Sequence, residues 1–548
     1  MDGATTTTER TTPGDGPDQR DRFARHALAL IPSIISQQDR DPHSPTYGCF
    51  DADYWHRRSI DFPSGSAAEA VLPLALVYSL DFPGNPFHRE PALKAWIEAG
   101  IRYSARSTHP DGSCDDRFPF DKSPGATAAA LLACLNAYSL LGFNDMEMLQ
   151  FFTRRADWLS AQRDHRRDST PLALAALALE AAGRLLGTDR WEQAAAERIE
   201  RLLRLQDEEG WFPERKGADP GCDTFVLGLL AQLHQLAPSH ELRVAITSGI
   251  AFAAEFLHPD GSFGGEYGSA GTASLFPHGF EIAGQWLPEA LSVNEQFLLG
   301  LLRAPDARDG DRRLLTRRCW SYLLAWQNWI TDRPAPTPRP TGRRYFKNAG
   351  LLIDRRDGCE LYVALTRGGV FKLWRDGMFV ASDTQLSVQM QTRGKFSTAV
   401  ANLIGHHRIQ LDGHTISVRG RLVVTDQCRT STTRLIFRRI LMATVGRLVP
   451  HLARGRCATH RDTSRKSAPF RFTRSLAWSN GRLLVTDELH AKRGWKNTRA
   501  VGIGAFQSGA CDQPTRIFEA AQLQQWQDFT ERTHGLKAEE TLKIERVL

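Results

Sequence analysis

A chain of 548 residues is too long for one hydrophobic core and fits two or three domains. With 41% hydrophobic and 24% charged residues it has an ordinary globular composition, and no apolar run approaches the roughly 20 residues that span a bilayer. The net charge of +7 is uneven: residues 1–340 carry 34 Lys and Arg against 45 Asp and Glu, residues 341–548 carry 35 against 17, so the C-terminal part either helps to hold a polyanion or presents a solvated basic surface.

Residues 1–20 lack an apolar h-region and read as a disordered leader without a secretory signal. The nine cysteines are scattered, with no CxxC pair, which favours reduced thiols and a cytoplasmic location over a disulfide framework or a zinc site. Residues 21–330 are helical in pattern. Apolar residues recur at three and four positions in Arg22–Gln37, Ser66–Ser79, Pro91–Thr108, Gly125–Leu141, Asp145–Gln162, Thr170–Leu186, Arg190–Gln206, Asp223–Leu236, Glu241–Leu257, Ser292–Leu302 and Arg312–Trp329. An aromatic loop, TYGCFDADYWHRRSIDFPSG, separates the first two helices.

Aligning helix ends exposes an internal repeat. HPDGSCDDRFPFDKSPG from His109, QDEEGWFPERKGADPGCD from Gln206 and HPDGSFGGEYGSAGTASLFPHGFE from His258 each follow one helix and precede another. Repeated helical hairpins of this kind are expected to close into an (α/α) toroid whose loops line a cleft at one rim. The third copy, Pro259–Glu281, is the richest in Gly and in chemically useful side chains.

Residues 331–344, TDRPAPTPRPTGRR, read as a Pro-rich linker. From 345 to 548 the period changes to two, punctuated by Gly-Gly, Asp-Gly and Asn-Gly turns, which predicts an antiparallel β-sandwich. Leu435–Arg456 departs from this pattern as a basic amphipathic helix, either covering the sheet or meeting a membrane surface or partner.

A toroid followed by a β-sandwich, with the motif PDGSFGGEYGS, resembles the heparinase II/III-like group of polysaccharide lyases, whose toroids carry an Asp-Gly-Ser…Glu-x-Ser…Tyr-His signature. GWFPE…GADPG and YGCFDADYW are similar to stretches of uncharacterised members among bacterial surface-polysaccharide genes. The Tyr and His adjacent in that signature are here separated, at Tyr267 and His278. The resemblance implies a uronate-polysaccharide lyase or a close carbohydrate-active variant, with an anionic polysaccharide or oligosaccharide as partner. A looser likeness of LLRLQDEEGWF to the repeats of terpene cyclases lacks the Asp-rich motif those enzymes need.

β-Elimination from a uronate needs a group that neutralises the carboxylate, a base for the C5 proton and an acid for the leaving oxygen. Tyr267 is the expected acid or base with His278 as partner, and Glu266 and Glu281 are expected to assist. As structural groups, Tyr267 would be a rim aromatic and His278 a hydrogen-bonded core histidine. The rival chemistry is glycoside hydrolysis by paired carboxylates, drawn from Asp115, Asp116, Asp121, Glu214, Asp219, Asp223, Glu266 and Glu281, of which Asp121 and Asp223 are the first to be read as helix caps. The same carboxylates could bind calcium, although no EF-hand spacing exists; no other cofactor is expected. Tyr54, Trp55 and Trp211 are candidate sugar-stacking residues, Arg57 a candidate carboxylate ligand, and His406, beside His407, a candidate contribution from the sandwich. A partner that binds polysaccharide without catalysis is the non-enzymatic alternative.

Overall fold

The computed structural model describes residues 19–162, 168–303, 312–335, 339–392, 395–425, 432–441, 444, 466–492, 494–504, 525–537 and 539–548. The expected leader lies almost wholly outside these residues, as do part of the Pro-rich linker and most of Leu435–Arg456.

Thirteen α-helices among the described residues precede the sheets: α1 (Gln19–Ile35), α2 (Ala52–Trp55), α3 (Val71–Ser79), α4 (Pro91–Arg106), α5 (Pro124–Leu140), α6 (Met146–Ala161) and α7 (Ser169–Leu186) come first. After them come α8 (Glu192–Leu205), α9 (Pro220–Leu236), α10 (His240–Ala254), α11 (His278–Ala283), α12 (Glu289–Arg303) and α13 (Arg312–Gln327). Helices α3, α5, α7, α9, α11 and α13 contact one another in sequence, and α13 returns to α3, so the inner ring is closed. An inner helix meets neighbours on every side, which explains why α5 and α7 are apolar almost all round and rich in Ala. α7 is long and apolar enough to cross a bilayer by length alone, but it serves as a wall of this ring. Where α9 crosses α11, a Cβ on Gly279 would lie 2.7 Å from the Gly228 Cα, so this crossing requires glycine.

The repeat is a repeat of hydrogen bonds. In each copy the first amide donates to the carbonyl four residues on, and the Gly amide donates back to the first carbonyl: His109–Ser113 and Gly112–His109, Asp207–Trp211 and Gly210–Asp207, His258–Ser262 and Gly261–His258, all at 2.8–3.0 Å. Gly112, Gly210 and Gly261 have φ of 92°, 100° and 83°. A Cβ on each would fall within 2.4–2.6 Å of a backbone oxygen in the next outer helix. Only glycine satisfies both demands. These turns place the loops that precede α5, α9 and α11 at one rim of the toroid.

The ring seam is electrostatic. Arg313 of α13 donates to Asp116 and Ser66 at 2.7 Å, Arg317 forms a two-point pair with Glu69 at 2.8 and 2.9 Å, and Arg312 reaches Asp51 and Asp53.

The second rim loop holds a two-stranded ribbon, β1 (Pro213–Glu214) and β2 (Gly217–Ala218). A five-stranded antiparallel sheet follows the helices in the order β3 (Gly342–Phe346), β4 (Leu351–Arg356), β5 (Cys359–Ala364), β6 (Val370–Arg375), β7 (Met378–Asp383). Period two sorts its side chains cleanly. Leu351, Ile353, Tyr362, Ala364, Val370 and Trp374 join the toroid core, while Leu352, Leu361, Val363, Phe371 and Leu373 join a second core.

That second core is closed by a nine-stranded antiparallel sheet. It contains β8 (Ser387–Thr392), β9 (Lys395–Val400), β10 (Arg408–Leu411), β11 (Thr415–Thr425), β12 (Ser467–Ser479), β13 (Arg482–Ala491), β14 (Thr498–Ile503), β15 (Gln527–Asp528) and β16 (Thr541–Val547). The architecture is therefore an (α/α) toroid followed by an antiparallel β-sandwich, as the change of sequence period predicts. The basic helix α14 (Thr432–Leu441) lies between β11 and β12 in the chain. It does not bury the side chains that a sheet-covering helix would bury: Ile436, Phe437 and Ile440 are more than half exposed.

Inside the sandwich Arg474 is fully buried. It grips Asp487 through two bonds of 2.6 and 2.8 Å and Asp383 through one of 2.7 Å, and Arg546 approaches both carboxylates at 2.7 Å. Burial opposes the charge on Asp383, but the two guanidinium groups outweigh it and hold the carboxyl down at about 2. Arg474→Ala is expected to destabilise the sandwich by about 3–5 kcal/mol, because two buried carboxylates lose a cation. An earlier transition in urea, followed through the buried Trp fluorescence, would register the loss.

Candidate functional site

The third rim loop is not open to a ligand. His258 and Tyr267 are buried beneath β5 and β6. The Tyr267 hydroxyl lies 2.8 Å from His258 Nε2, and His258 Nδ1 lies 2.8 Å from Ser262 Oγ. Ser262 donates its hydroxyl proton to Asp260 Oδ1 at 2.7 Å, and Trp374 Nε1 donates to Asp260 Oδ2 at 2.8 Å. This order of donors fixes a neutral imidazole protonated on Nδ1, accepting from Tyr267 at Nε2. His258 also stacks on Trp374, with ring centroids 4.0 Å apart, and Tyr267 lies parallel to Tyr362 at 5.9 Å. Burial, then the positive field of Lys372, Arg339 and Arg355, holds the His258 pKa well below its ordinary value. Burial, then Tyr362 and Glu266, pushes Tyr267 well above its own. The cluster pins the toroid to the sandwich.

The expected Tyr267–His278 pair does not form. His278 sits inside the inner ring, bonded through Nδ1 to Ser321 Oγ at 2.7 Å and edge-on to Trp320, and burial pushes it down to about 3. A Cβ on Gly228 would lie 2.2 Å from its ring, so the histidine occupies a fitted socket. Glu281 is fully buried and pairs with Arg333 at 2.7 Å and with Asn294 at 2.9 Å. Glu266 is buried against Lys372 at 3.0 Å. Each of the four residues expected to be catalytic is thus part of a packed interior or an interdomain contact.

Several loop carboxylates are also tied to backbone. Asp219 is fully buried; it caps α9 at Cys222 N and accepts from Ala270 N at 2.8 Å. It cannot touch a polymer. Asp115 accepts from Phe120 N and Lys122 N and pairs with His109 at 2.9 Å, raising the pKa of that histidine. Asp116 closes the ring seam, Asp121 folds the first loop through Asp116 N and Arg117 N, and Asp223 holds Phe212 N. Among the described residues no group of three or more His, Cys, Asp or Glu could hold a metal ion.

The aromatics divide similarly. Trp55 Nε1 donates to Gln37 O at 2.8 Å and Trp211 Nε1 to Glu209 at 3.2 Å, so both rings are tethered to the toroid and half-buried. Tyr54 is half-buried in the short α2, and Arg57 is exposed beside Asp53 at 2.8 Å.

The second rim loop remains. Its ribbon turns through Arg215 and Lys216, with φ of 48° and 72°. Positive φ at both central positions is what a two-residue hairpin turn demands, and Asn-Gly satisfies it without strain. Two cationic side chains in that position carry a conformational cost of order 1 kcal/mol each. Beside them Glu214 accepts from Thr170 Oγ1 at 2.9 Å and Thr170 N at 3.3 Å through Oε2. Its Oε1 has no hydrogen-bond partner among the described residues. Burial, then the carboxylates of Asp168 and Asp219, pushes Glu214 up to about 7. Asp168 stands directly beside the ribbon, accepting from Arg215 N at 3.0 Å.

The sandwich reaches the same place. A Cβ on Gly217 would meet Ile404 at 3.3 Å, and the exposed His406 follows two residues later. Arg367 bonds both Gly268 O of the third rim loop and Asn402 O, at 3.0 Å for the latter, which fixes the 401–407 connection against the rim. Glu214, Arg215 and Lys216 therefore share one loop with Asp168 beside it, and the 401–407 connection of the sandwich, which carries His406, passes against that loop at Ile404. Glu214 and His406 are among the candidates that the sequence offers, whereas Asp168, Arg215 and Lys216 are not. The signal for the latter pair was present in Glu-Arg-Lys-Gly, a two-residue cationic turn flanked by a carboxyl and a glycine.

No known protein family and no curated protein matches the sequence. Among solved structures the chain is similar to a variant of chondroitin AC lyase from Streptomyces coelicolor A3, at 12% identity and a TM-score of 0.48 over 90% of this chain and 69% of that one. It is similar also to heparan sulfate lyase from Pedobacter heparinus, at 12% identity and a TM-score of 0.38 over 90% and 72%. Cellobiose 2-epimerase from Spirochaeta thermophila matches at 14% identity and a TM-score of 0.39 over 56% of this chain and 96% of its own.

Two outcomes follow from these placements. Tyr267→Phe is expected to lower stability by about 1–3 kcal/mol, since His258 Nε2 loses its donor in a dry interior; thermal denaturation measures it. Glu214 contributes a pH dependence of known sign. The folded carboxyl holds its proton to about pH 7, whereas its ordinary value is 4.5. The folded state therefore binds more protons between those values, and the contribution present below pH 4.5 is lost as pH rises through about 7. Melting temperature should fall less steeply across that window in Glu214→Gln than in the unaltered protein.

Proposed function

We propose that the protein is a carbohydrate-active enzyme acting on an anionic, uronate-containing polysaccharide where the toroid meets the sandwich beside Arg215 and Lys216, by β-elimination. The observation that carries this reading is the second rim loop, where two cations held at positive φ flank Glu214, a carboxyl that burial pushes up to about 7 so that it keeps its proton in mildly acidic solution. A neutral acid can stand beside a substrate carboxylate without repulsion, and the cations suit that carboxylate. In the reaction, a base removes the C5 proton, the electron pair forms the C4–C5 double bond, the bond from C4 to the glycosidic oxygen breaks, and that oxygen receives a proton. His406 is the base in this reading and Glu214 the acid, with Arg215 and Lys216 stabilising charge that develops on the carboxylate.

Hydrolysis is the second reading, favoured by one fact. After burial, the Asp168 charge is the strongest influence raising Glu214, which places two carboxyls in electrostatic contact, as a general acid and its partner carboxylate need.

The test is incubation with uronate-containing polysaccharides, following reducing ends and the ultraviolet absorbance of an unsaturated uronate together. New ends with absorbance support elimination, new ends without it assign hydrolysis, and retention of the polymer with neither reduces the protein to a binder. Glu214→Gln should lower either activity about 10²–10⁴-fold. In the unaltered enzyme, activity should decline as pH rises through about 7, because the protonated carboxyl is the working form.

A further inference from the structure

The α14 helix presents a face that the fold leaves uncovered. Ile436, Phe437 and Ile440 are 53%, 66% and 56% exposed. At 100° per residue these three fall within one arc of about 100°. Arg439 borders that arc, and the helix sequence TTRLIFRRIL holds two further arginines and no acidic residue. Arg439 lies 3.6 Å from Asp61, which belongs to the aromatic loop between α1 and α3, so the helix lies at the toroid's edge. The last ladder pair of β11 with β9, Thr425 with Thr398, brings the chain to within two residues of a further exposed aromatic, Phe396, before it leaves for α14.

An exposed apolar arc on an arginine-rich, acid-free helix is the pattern that lies in a lipid–water interface, with the apolar side chains in the acyl boundary and guanidinium groups among anionic headgroups. A second copy of this chain would oppose arginine to arginine, and a water-soluble acidic partner would leave the three apolar side chains unaccounted for. We propose that α14 is an interfacial anchor that docks the protein on anionic lipid bilayers through Ile436, Phe437 and Ile440. This does not depend on which reaction the second rim loop performs.

The experiment is co-sedimentation of the full chain with vesicles of phosphatidylglycerol mixed with phosphatidylcholine, and with vesicles of phosphatidylcholine alone. Binding is expected to the first and not the second, and to weaken with salt. Ile436→Ser, Phe437→Ser and Ile440→Ser combined should weaken it about tenfold or more, with the melting temperature unchanged. Arg434→Gln, Arg438→Gln and Arg439→Gln combined should remove the preference for anionic lipid. Absence of binding by the unaltered protein, or binding indifferent to the serine variant, overturns the proposal. So does a concentration-dependent dimer abolished by the serine variant, which would reassign the face to a second copy.

Discussion

The contact on which the rest of the molecule depends is the burial of the Pro259–Tyr267 turn beneath β5 and β6. It links two buried side chains, His258 and Tyr267, to the half-buried Ser262 and Asp260 in one run of hydrogen bonds that reaches Trp374 of β6 without an unpaired atom. Buried polar groups of this kind stay put only when every partner is present. That completeness fixes the sandwich against the toroid, and so fixes which rim loop becomes interface.

Division of labour among the three repeat loops follows. They share one hydrogen-bonded turn and one obligatory glycine, but meet different neighbours. The first is drawn to the ring seam, where Asp116 answers Arg313. The third is drawn under the sandwich. The first also holds Phe120 and Lys122 at positive φ around Asp121, which burial pushes up to about 7; the second differs in placing two cations, Arg215 and Lys216, at both central positions of its ribbon turn. Strain tolerated at a solvent-facing turn, where Asn-Gly would relieve it, points to selection for the side chains themselves.

Much of this was legible in the residues. The change from a helical period to a period of two dates the passage from toroid to sandwich, and the alternation in β4, β5 and β6 sorts two cores without further information. The turn glycines announce the repeat. The candidate site was legible only in part. Glu214 and His406 were flagged by type and position, whereas Tyr267, His278, Glu266 and Glu281 were weighed by chemistry that burial later removed. A tyrosine and a histidine eleven residues apart look the same in sequence whether they converge or, as here, find His258 and Ser321 instead.

The sequence by itself determined the local grammar: that helices follow the rim loops, where glycine must turn the chain, and which strand positions face apolar layers, although the caps are Ser123 and Asp219 where Asp121 and Asp223 were expected. Those choices depend on neighbours within a few residues, and so can be read along the chain. Only the tertiary structure decided which acidic groups are charged and which aromatic groups are accessible. Proton affinity and exposure are set by everything packed around a side chain, including Asp168 beside Glu214 and Trp374 over His258, residues 46 and 116 positions away. Distance along the chain says nothing about either.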